Sequence, residues 1–377
     1  MKRIVSFILI FILIFSSKIT ALADSINVSA KSAVLINAHT GEVLFEKNCK
    51  SRLSMASTTK IMTSLILAEQ KDLSKVITVT DEMVRVEGSS MGLISGDKVS
   101  LENLLYGMLL ASGNDAANAT AYALGKSVSG FAKIMNDKAK LIGMNDTNFV
   151  TPSGLDDDAH YSTAYDMAIL TAVALKNKAF KAACSTKSRR VYLCDGEKQL
   201  TLTNHNKLLG TYEGLVGVKT GFTKKSGRCL VTAAERNGVC LVAVTLSAPD
   251  DWNDHRALLD YGFEVTEFFE STSQQLPDSI PVVGGDCDRV RISCDKISYS
   301  VSSKNASKIS YKILLPPFLY SGVKAGQKIG SINYYYENKL FKISDIISIA
   351  DVYDKPVKIP FKKLFTEKIS LLLRLII

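Results

Sequence analysis

The sequence predicts an α/β protein of the α+β type, in which an antiparallel sheet is flanked by helices and an all-helical subregion, followed by a small β-rich domain. Asn237-Gly238 separates two apolar, strand-like runs and is a strong hairpin signal. The apolar run after Lys60 contains neither glycine nor proline and predicts a buried helix. Beyond residue 280, strand and turn patterns replace helical ones, which indicates a separate domain.

The elements of the first domain are predicted from apolar periodicity and turn residues. Strands are expected at 32–37, 42–47 and 76–79, at the hairpin 191–193 and 200–202, and at 216–223, 228–234 and 239–246. Helices are expected from Ser57 onward and at 101–110, 116–124, 131–141, 162–170 and 254–269, with Ser100 and Thr163 as N-caps.

The 377 residues, 46% of them hydrophobic, are enough for two domains with their own cores. Residues 1–23 predict a secretory signal peptide, because a basic start and a short apolar run precede Ala21-Leu22-Ala23; an uncleaved anchor is the alternative. We expect a main domain over 24–270, a linker over 271–279, a β-rich domain over 280–360 and an amphipathic membrane anchor over 361–377. The alternative for the tail is a helix docked on its own domain.

Net charge excludes one class of partner. The chain carries +9, and removal of Lys2, Arg3 and Lys18 with the signal leaves 9 − 3 = +6. Half of that lies in the tail from Phe361, so no concentrated basic stripe is left to bind a nucleic acid. The basic tail suits anionic lipids, and we therefore expect an exported protein held peripherally at the outer face of the cytoplasmic membrane.

The seven cysteines are an odd number, so at least one is unpaired. Cys184 with Cys194, and Cys287 with Cys294, are close enough for local bridges, but the sequence leaves the pairing open. No pair has the spacing of zinc ligands and only four histidines are present, so neither a metal nor another cofactor is expected.

The first chemical motif is Ser57-Thr58-Thr59-Lys60 at the start of the buried helix. Residues three apart on a helix share a face, so the lysine amine can take the serine proton. A serine needs such a base to become nucleophilic, and a lysine serves only if burial or a second cation lowers its pKa. Two other Ser-x-x-Lys spacings, at Ser95 and Ser321, contain glycine and predict surface turns.

The second motif is Ser112-Gly113-Asn114, predicted on a tight loop between two buried helices, where polar groups are held at a cleft edge. An ordinary inter-helix turn is the alternative, since these are turn residues. His160 lies in a later predicted loop; it could face the cleft, although a surface position is commoner for a loop histidine.

The third motif, Lys219-Thr220-Gly221, occurs once and begins the run of three antiparallel strands. Lys219 would place a second cation near Lys60 and attract a substrate carboxylate. Gly221 would let a substrate backbone lie against the strand edge. We expect Ser57 to attack a carbonyl, Lys60 to accept its proton, Ser112 to relay a proton and Asn114 to bind the substrate amide. The backbone N–H groups of Ser57 and Phe222 are the candidate oxyanion donors.

The three motifs and the residues around them resemble the serine D-alanyl-D-alanine carboxypeptidases, which are low-molecular-mass penicillin-binding proteins. The segments that carry the resemblance are 56–63, 87–91, 110–116 and 217–223. The resemblance covers nearly the whole chain and implies a β-lactamase/transpeptidase-like fold. It implies removal of the terminal D-alanine from peptidoglycan stem pentapeptides through an acyl-enzyme on Ser57, and covalent inhibition by β-lactams. Some members carry His after Lys-Thr-Gly, where this chain has Phe222.

Two alternatives share these features. A β-lactamase has the same motifs, but usually adds a deacylating glutamate between the second and third. Only Glu197 and Glu213 lie there, and neither is followed four residues later by Asn. A non-catalytic cell-wall scaffold is the other alternative, and the complete set of motifs disfavours it.

Overall fold

The computed structural model describes residues 26–193, 196–270 and 276–356. Among them, one compact unit takes the chain up to Leu35 with Phe45–Ala234 and Val242–Glu264, and a second takes Ile36–Leu44, Glu235–Leu241 and the chain from Val265. The predicted signal peptide, the membrane anchor, Cys194 and most of the linker lie outside the described residues.

Seventeen strands occur in the described residues. They are β1 Ser32–Asn37, β2 Val43–Lys47, β3 Val76–Thr78, β4 Lys98–Ser100, β5 Ser188–Leu193, β6 Lys198–Thr203, β7 Leu215–Thr223, β8 Gly227–Arg236, β9 Val239–Leu246, β10 Thr266–Glu270, β11 Ser279–Val283, β12 Arg289–Cys294, β13 Ser298–Ser302, β14 Ile309–Leu314, β15 Leu319–Tyr320, β16 Lys328–Tyr336 and β17 Lys339–Ser348.

Eight α-helices occur in the same residues, and all lie in the first unit except for Val265 at the end of the last helix. They are α1 Lys60–Ala68, α2 Asp81–Val84, α3 Leu101–Leu109, α4 Asn114–Gly125, α5 Val128–Ile142, α6 Ala164–Ala174, α7 Lys178–Cys184 and α8 Asp251–Val265. The predicted caps are confirmed: Ser100 accepts from the N–H of Asn103, and Thr163 from that of Asp166.

The main sheet has five strands in the order β2-β1-β9-β8-β7. Strand β9 is buried throughout, whereas β7 lies at one edge of this sheet and, among the described strands, pairs with β8. The predicted Asn237-Gly238 hairpin joins β8 to β9, with both residues at positive φ, as such a turn requires.

Helix α1 is the centre of the helical part. All nine of its residues are buried, and it packs against α3, α4 and α6. Complete burial explains why most of its residues are apolar, and its polar residues Lys60, Thr63 and Ser64 share one buried face. The Lys60 side chain at its first position is therefore surrounded by protein.

The second unit contains a six-stranded sheet in the order β14-β16-β17-β12-β11-β15. Its core is a cluster of aliphatic side chains that includes Ile280, Val290 and Ile346. The Asn37 amide donates to the Ser300 carbonyl at 2.9 Å and so ties the β1 end to β13 within this unit.

One expectation about the elements was wrong. The closing helix ends at Val265, and the residues after it form β10, which pairs antiparallel with β13. Helices α2 and α7 were not predicted, because each is short and lacks a long apolar stripe. The sequence left the pairing of Cys287 with Cys294 open, and both carry free thiols.

Across the described parts of the chain, no helix is both long and apolar enough to cross a bilayer. The same residues contain no group of three or more side chains suited to holding a metal ion.

Candidate active site

Ser57 and Lys60 are brought together as predicted, but in a different local structure. Ser57 lies in a 3₁₀-helix over Ala56–Thr59, and Lys60 is the first residue of α1. The tighter 3₁₀ winding places residues three apart almost directly above each other. The Lys60 Nζ atom lies 2.9 Å from the Ser57 Oγ atom, within hydrogen-bond distance.

The Lys60 amine has two further partners, both oxygen acceptors. Its Nζ donates to the Asn114 Oδ1 atom at 2.7 Å and to the Ser153 carbonyl at 2.8 Å. A neutral amine has two N–H donors and one lone pair. With both donors engaged, the lone pair of a neutral Lys60 points to the Ser57 hydroxyl and can accept its proton.

The environment of Lys60 favours that neutral form. The side chain is fully buried, and burial is the main cause that lowers its pKa well below the usual value of a lysine. The charge of Lys219 lowers this pKa further, and the carboxylate of Asp115 opposes both effects. The expected second cation therefore contributes, but less than burial does.

Asn114 lies in the first turn of α4 and not in the inter-helix loop that the sequence predicted. Its Oδ1 accepts from Lys60, and its Nδ2 donates to the Glu87 carbonyl at 2.6 Å. These bonds fix the amide orientation. Since an amide nitrogen has two hydrogens, one remains available to a ligand.

Ser112 lies between α3 and α4, as predicted, and is 4% exposed. Its φ of 58° and the φ of 47° at Ala56 are both left-handed, a conformation that costs free energy for residues other than glycine. Ala56 and Ser112 belong to separate segments of the chain, and each holds a strained backbone conformation beside the cavity that contains Ser57.

The third motif lies on the outer strand β7. Lys219 is 2% exposed, its Nζ donates to the Thr220 carbonyl at 2.9 Å, and burial lowers its pKa to about 7. A Cβ atom added at Gly221 would lie 3.1 Å from the Ser57 backbone nitrogen, so glycine permits the close approach of β7 to the 3₁₀-helix. Phe222 is 65% exposed at the end of the motif.

A cavity of about 340 Å³ opens over these groups. Its lining comprises Ser57, Ser89, Ser112, His205, Lys207, Thr220, Gly221, Phe222, Arg228, Asp251 and Trp252. Lys60, Asn114 and Lys219 are not among the lining residues, and their buried side chains support the wall from behind.

Sequence reasoning missed Asp115, which holds the segment directly after the cavity-lining Ser89. Its carboxylate accepts hydrogen bonds from the backbone N–H groups of Met91, Gly92 and Leu93 at 2.9 to 3.1 Å, and from the Ser90 hydroxyl. The signal in the sequence was an acidic residue directly after the second motif, at the start of a buried helix. A carboxylate buried there requires several hydrogen-bond donors.

His160 lies beneath the site and not in the cleft. It is 2% exposed, and its Nδ1 atom accepts from the Val150 N–H at 2.9 Å, so the Nε2–H donates to the Thr59 hydroxyl at 2.9 Å. Burial lowers its pKa to about 4 and keeps the ring neutral. This contact links the loop that contains Ser153 to the 3₁₀-helix.

The site thus places a buried lysine amine beside a serine hydroxyl, which is the arrangement expected of a serine acyl-transfer enzyme with a lysine base. Comparison with known proteins agrees with this class. The model of the D-alanyl-D-alanine carboxypeptidase family matches residues 18–250, and the model of the C-terminal domain of penicillin-binding protein 5 matches residues 263–354.

Relatives of known name match over most of the chain. D-alanyl-D-alanine carboxypeptidase DacF of Bacillus subtilis is 36% identical over 71% of this chain and 72% of its own length. DacC of Escherichia coli is 31% identical over 90% of this chain and 87% of its own length.

Solved structures share the fold. Penicillin-binding protein 5 of Haemophilus influenzae aligns with a TM-score of 0.63 and 26% identity, over 87% of this chain and 98% of that one. The DD-transpeptidase of Streptomyces K15 aligns with a TM-score of 0.60 and 33% identity, over 63% of this chain and 98% of that one. The chain belongs to the D-alanyl-D-alanine carboxypeptidase family and is a serine-type peptidase.

Proposed function

We propose that this enzyme removes the terminal D-alanine from peptidoglycan stem pentapeptides through an acyl-enzyme on Ser57. The observation that carries the proposal is the Lys60 amine, 2.9 Å from the Ser57 hydroxyl and bonded to two other acceptors. Burial lowers the pKa of this amine, and an uncharged amine in that setting can act as a general base.

In acylation, Lys60 Nζ takes the Ser57 proton while Oγ forms a bond to the penultimate D-alanine carbonyl carbon. The oxyanion is received by the backbone N–H groups of Ser57 and Phe222. Ser112 relays the proton from the Lys60 ammonium to the leaving nitrogen, and the C–N bond breaks to release D-alanine. Water then attacks the ester, with Lys60 again as base, and restores the free serine.

Substrate binding uses the outer strand β7. A peptide placed along Thr220 and Gly221 adds a strand to the sheet edge, and it lies close to Ser57 because Gly221 lets β7 approach the 3₁₀-helix. The second N–H of the Asn114 amide donates to a substrate carbonyl. β-Lactams place a strained amide in the same position and remain as a stable acyl group on Ser57.

Release of D-alanine from diacetyl-Lys-D-Ala-D-Ala tests the function. The wild-type enzyme is expected to release it catalytically, and Ser57→Ala to release none while keeping its melting temperature. Release by the Ser57→Ala variant, or none by a folded wild type, contradicts the proposal.

The β-lactamase alternative is tested with nitrocefin. Glu197 and Glu213 are both exposed, and neither lines the cavity, so neither is placed to activate a deacylating water. We expect one equivalent of hydrolysis followed by a slow phase. Sustained turnover would support a β-lactamase, and the absence of both hydrolysis and penicillin labelling would support a non-catalytic scaffold.

A transfer reaction by the same site is a second candidate, because the Streptomyces K15 protein of similar fold is a DD-transpeptidase. An amine or water reaches the same acyl-enzyme. Adding glycylglycine to the diacetyl-Lys-D-Ala-D-Ala assay and measuring the transfer product diacetyl-Lys-D-Ala-Gly-Gly against the hydrolysis product diacetyl-Lys-D-Ala gives the partition. Cross-linked muropeptides test endopeptidase action.

We further propose the organisation given by the sequence: a signal peptide over 1–23, a catalytic domain over 24–270, a linker over 271–279, a β-rich domain over 280–360 and an amphipathic anchor over 361–377. The enzyme then works at the outer face of the cytoplasmic membrane. Truncation after Lys355 is expected to move it from the membrane to the soluble fraction. Retention of the truncated protein on membranes would contradict the anchor.

A further inference from the structure

The substrate that we propose ends in a carboxylate, and the sequence assigned its recognition to Lys219. The structure makes that assignment difficult. Lys219 is 2% exposed, is not among the residues that line the cavity, and donates to the Thr220 carbonyl. A carboxylate in the cavity needs a donor that faces it.

Arg228 on β8 faces the cavity. It is paired in register with Phe222, the residue after Lys219-Thr220-Gly221, and directly opposed residues of an antiparallel pair project to the same face. Its side chain is 41% exposed, and it lines the same cavity as Ser57 and Thr220. A guanidinium is therefore present beside the proposed path of the peptide.

The Arg228 guanidinium is held in one orientation. Its Nε and Nη2 atoms donate to the Asp251 Oδ1 atom at 3.0 and 2.6 Å, and the Asp251 side chain is only 4% exposed. The Trp252 ring lies 5.6 Å from the guanidinium carbon and packs against it. The positions of both partners are set by the start of α8.

This arrangement leaves one edge of the guanidinium for a ligand. Of its five N–H groups, two are directed to Asp251, and three remain, including an adjacent pair on Nη1 and Nη2. Such a pair matches the two oxygens of a carboxylate in a bidentate bond. Lys207, which also lines the cavity, adds positive charge to this wall.

We propose that Arg228, oriented by Asp251 and Trp252, binds the terminal carboxylate of the substrate and sets the preference for a free C-terminus. The proposal rests on the function proposed above. It assigns recognition of the free acid to β8 and leaves Lys219 as a buried cation that supports Lys60.

The test compares diacetyl-Lys-D-Ala-D-Ala with the same peptide carrying a C-terminal carboxamide. We expect the wild type to prefer the acid at least about 100-fold in kcat/KM. Arg228→Gln should lose about 100-fold on the acid and less than about 3-fold on the amide, while Arg228→Lys, which keeps the charge but not the paired donors, should be intermediate.

Arg189→Gln is the matched control, since Arg189 also pairs with an acid, Glu102, and stacks on an aromatic ring, Tyr106, but does not line the cavity. Its acid preference should equal that of the wild type. Lys207→Gln should lose much less of the preference than Arg228→Gln, because Lys207 supplies charge but no pair of adjacent donors.

Three results would overturn the inference: an unchanged preference in Arg228→Gln, an equal loss on both substrates, or collapse of the preference in Lys207→Gln. Each requires a wild type that releases D-alanine. A folded wild type that releases none contradicts the proposed function itself, so the two failures are distinguishable.

Discussion

The Lys60 amine and the Asn114 amide oxygen lie 2.7 Å apart, and this contact connects the first two motifs directly. It uses one donor of the lysine, and the Ser153 carbonyl uses another. The amine therefore has one remaining position, and Ser57 fills it. The orientation of the base follows from these three bonds taken together.

Replacement of the base should abolish acylation. In Lys60→Ala we expect labelling by fluorescent penicillin to fall at least about 1,000-fold, because the substitution removes the amine that is hydrogen-bonded to the Ser57 hydroxyl. Lys60→Arg keeps the charge but cannot deprotonate, and should fail equally. Circular dichroism checks the fold of both variants, and normal labelling of either folded variant would remove lysine as the base.

The pH dependence of acylation should report the pKa of Lys60. The rate is expected to fall as pH falls through that pKa, because protonation removes the lone pair. The charge of Lys219 lowers the pKa of Lys60, so Lys219→Gln should move the midpoint of the rising limb to higher pH. Stopped-flow acylation from pH 5 to 10 measures it. An unchanged midpoint, or a shift to lower pH, would show that the two amines are not coupled in this sense.

Gly221 should tolerate side chains in order of size. A Cβ there lies 3.1 Å from the Met55 carbonyl and from the Ser57 and Thr58 nitrogens, so β7 and the 3₁₀-helix must separate slightly. We expect Gly221→Ala to slow acylation about 10-fold and Gly221→Val to eliminate it, since small displacements at a reacting centre are costly. Melting temperatures establish that both variants are folded. Wild-type labelling of the Val variant would mean that the close approach is unimportant.

His160 should make stability depend on pH. Its pKa is about 4 in the folded protein against 6.5 for an ordinary histidine, so the unfolded chain binds more protons between these values. The free energy of unfolding should therefore decrease as pH falls from 6.5 towards 4, by about 1.4 kcal/mol per pH unit at most from this residue.

Urea titrations from pH 4 to 8 measure this effect, and His160→Gln should show a smaller decrease than the wild type. His255, which is fully buried between the hydroxyls of Thr232 and Thr245, contributes in the same direction through a pKa of about 3 and is retained in both proteins. Equal slopes for the two proteins would contradict the assignment to His160.

Local patterns predicted the fold where periodicity and turn chemistry act together. The Asn237-Gly238 turn fixes the hairpin of β8 and β9, and the apolar run after Lys60 is a buried helix, as expected. The predicted end of α8 was four residues too late. The sequence of residues 266–269 does not by itself distinguish a helix from a strand, and these residues form a strand because they pair with β13.

The candidate site was predictable as a set of residues but not as a geometry. Ser57, Lys60, Ser112 and Lys219 are close in the structure, which the order of motifs indicated. The roles of Asp115, His160 and Arg228 were not visible, because each depends on contacts between segments far apart in the chain. Sequence spacing shows which residues share a helix turn, whereas these contacts form only when the elements pack.

The most direct test of the account is mass spectrometry of the intact protein after reaction with benzylpenicillin, followed by peptide mapping. We predict a single adduct of the mass of the drug on the peptide that contains Ser57, and none in Lys60→Ala. An adduct on any other peptide, or a folded wild type that gains no mass, would contradict the central claim that a buried amine makes Ser57 the nucleophile.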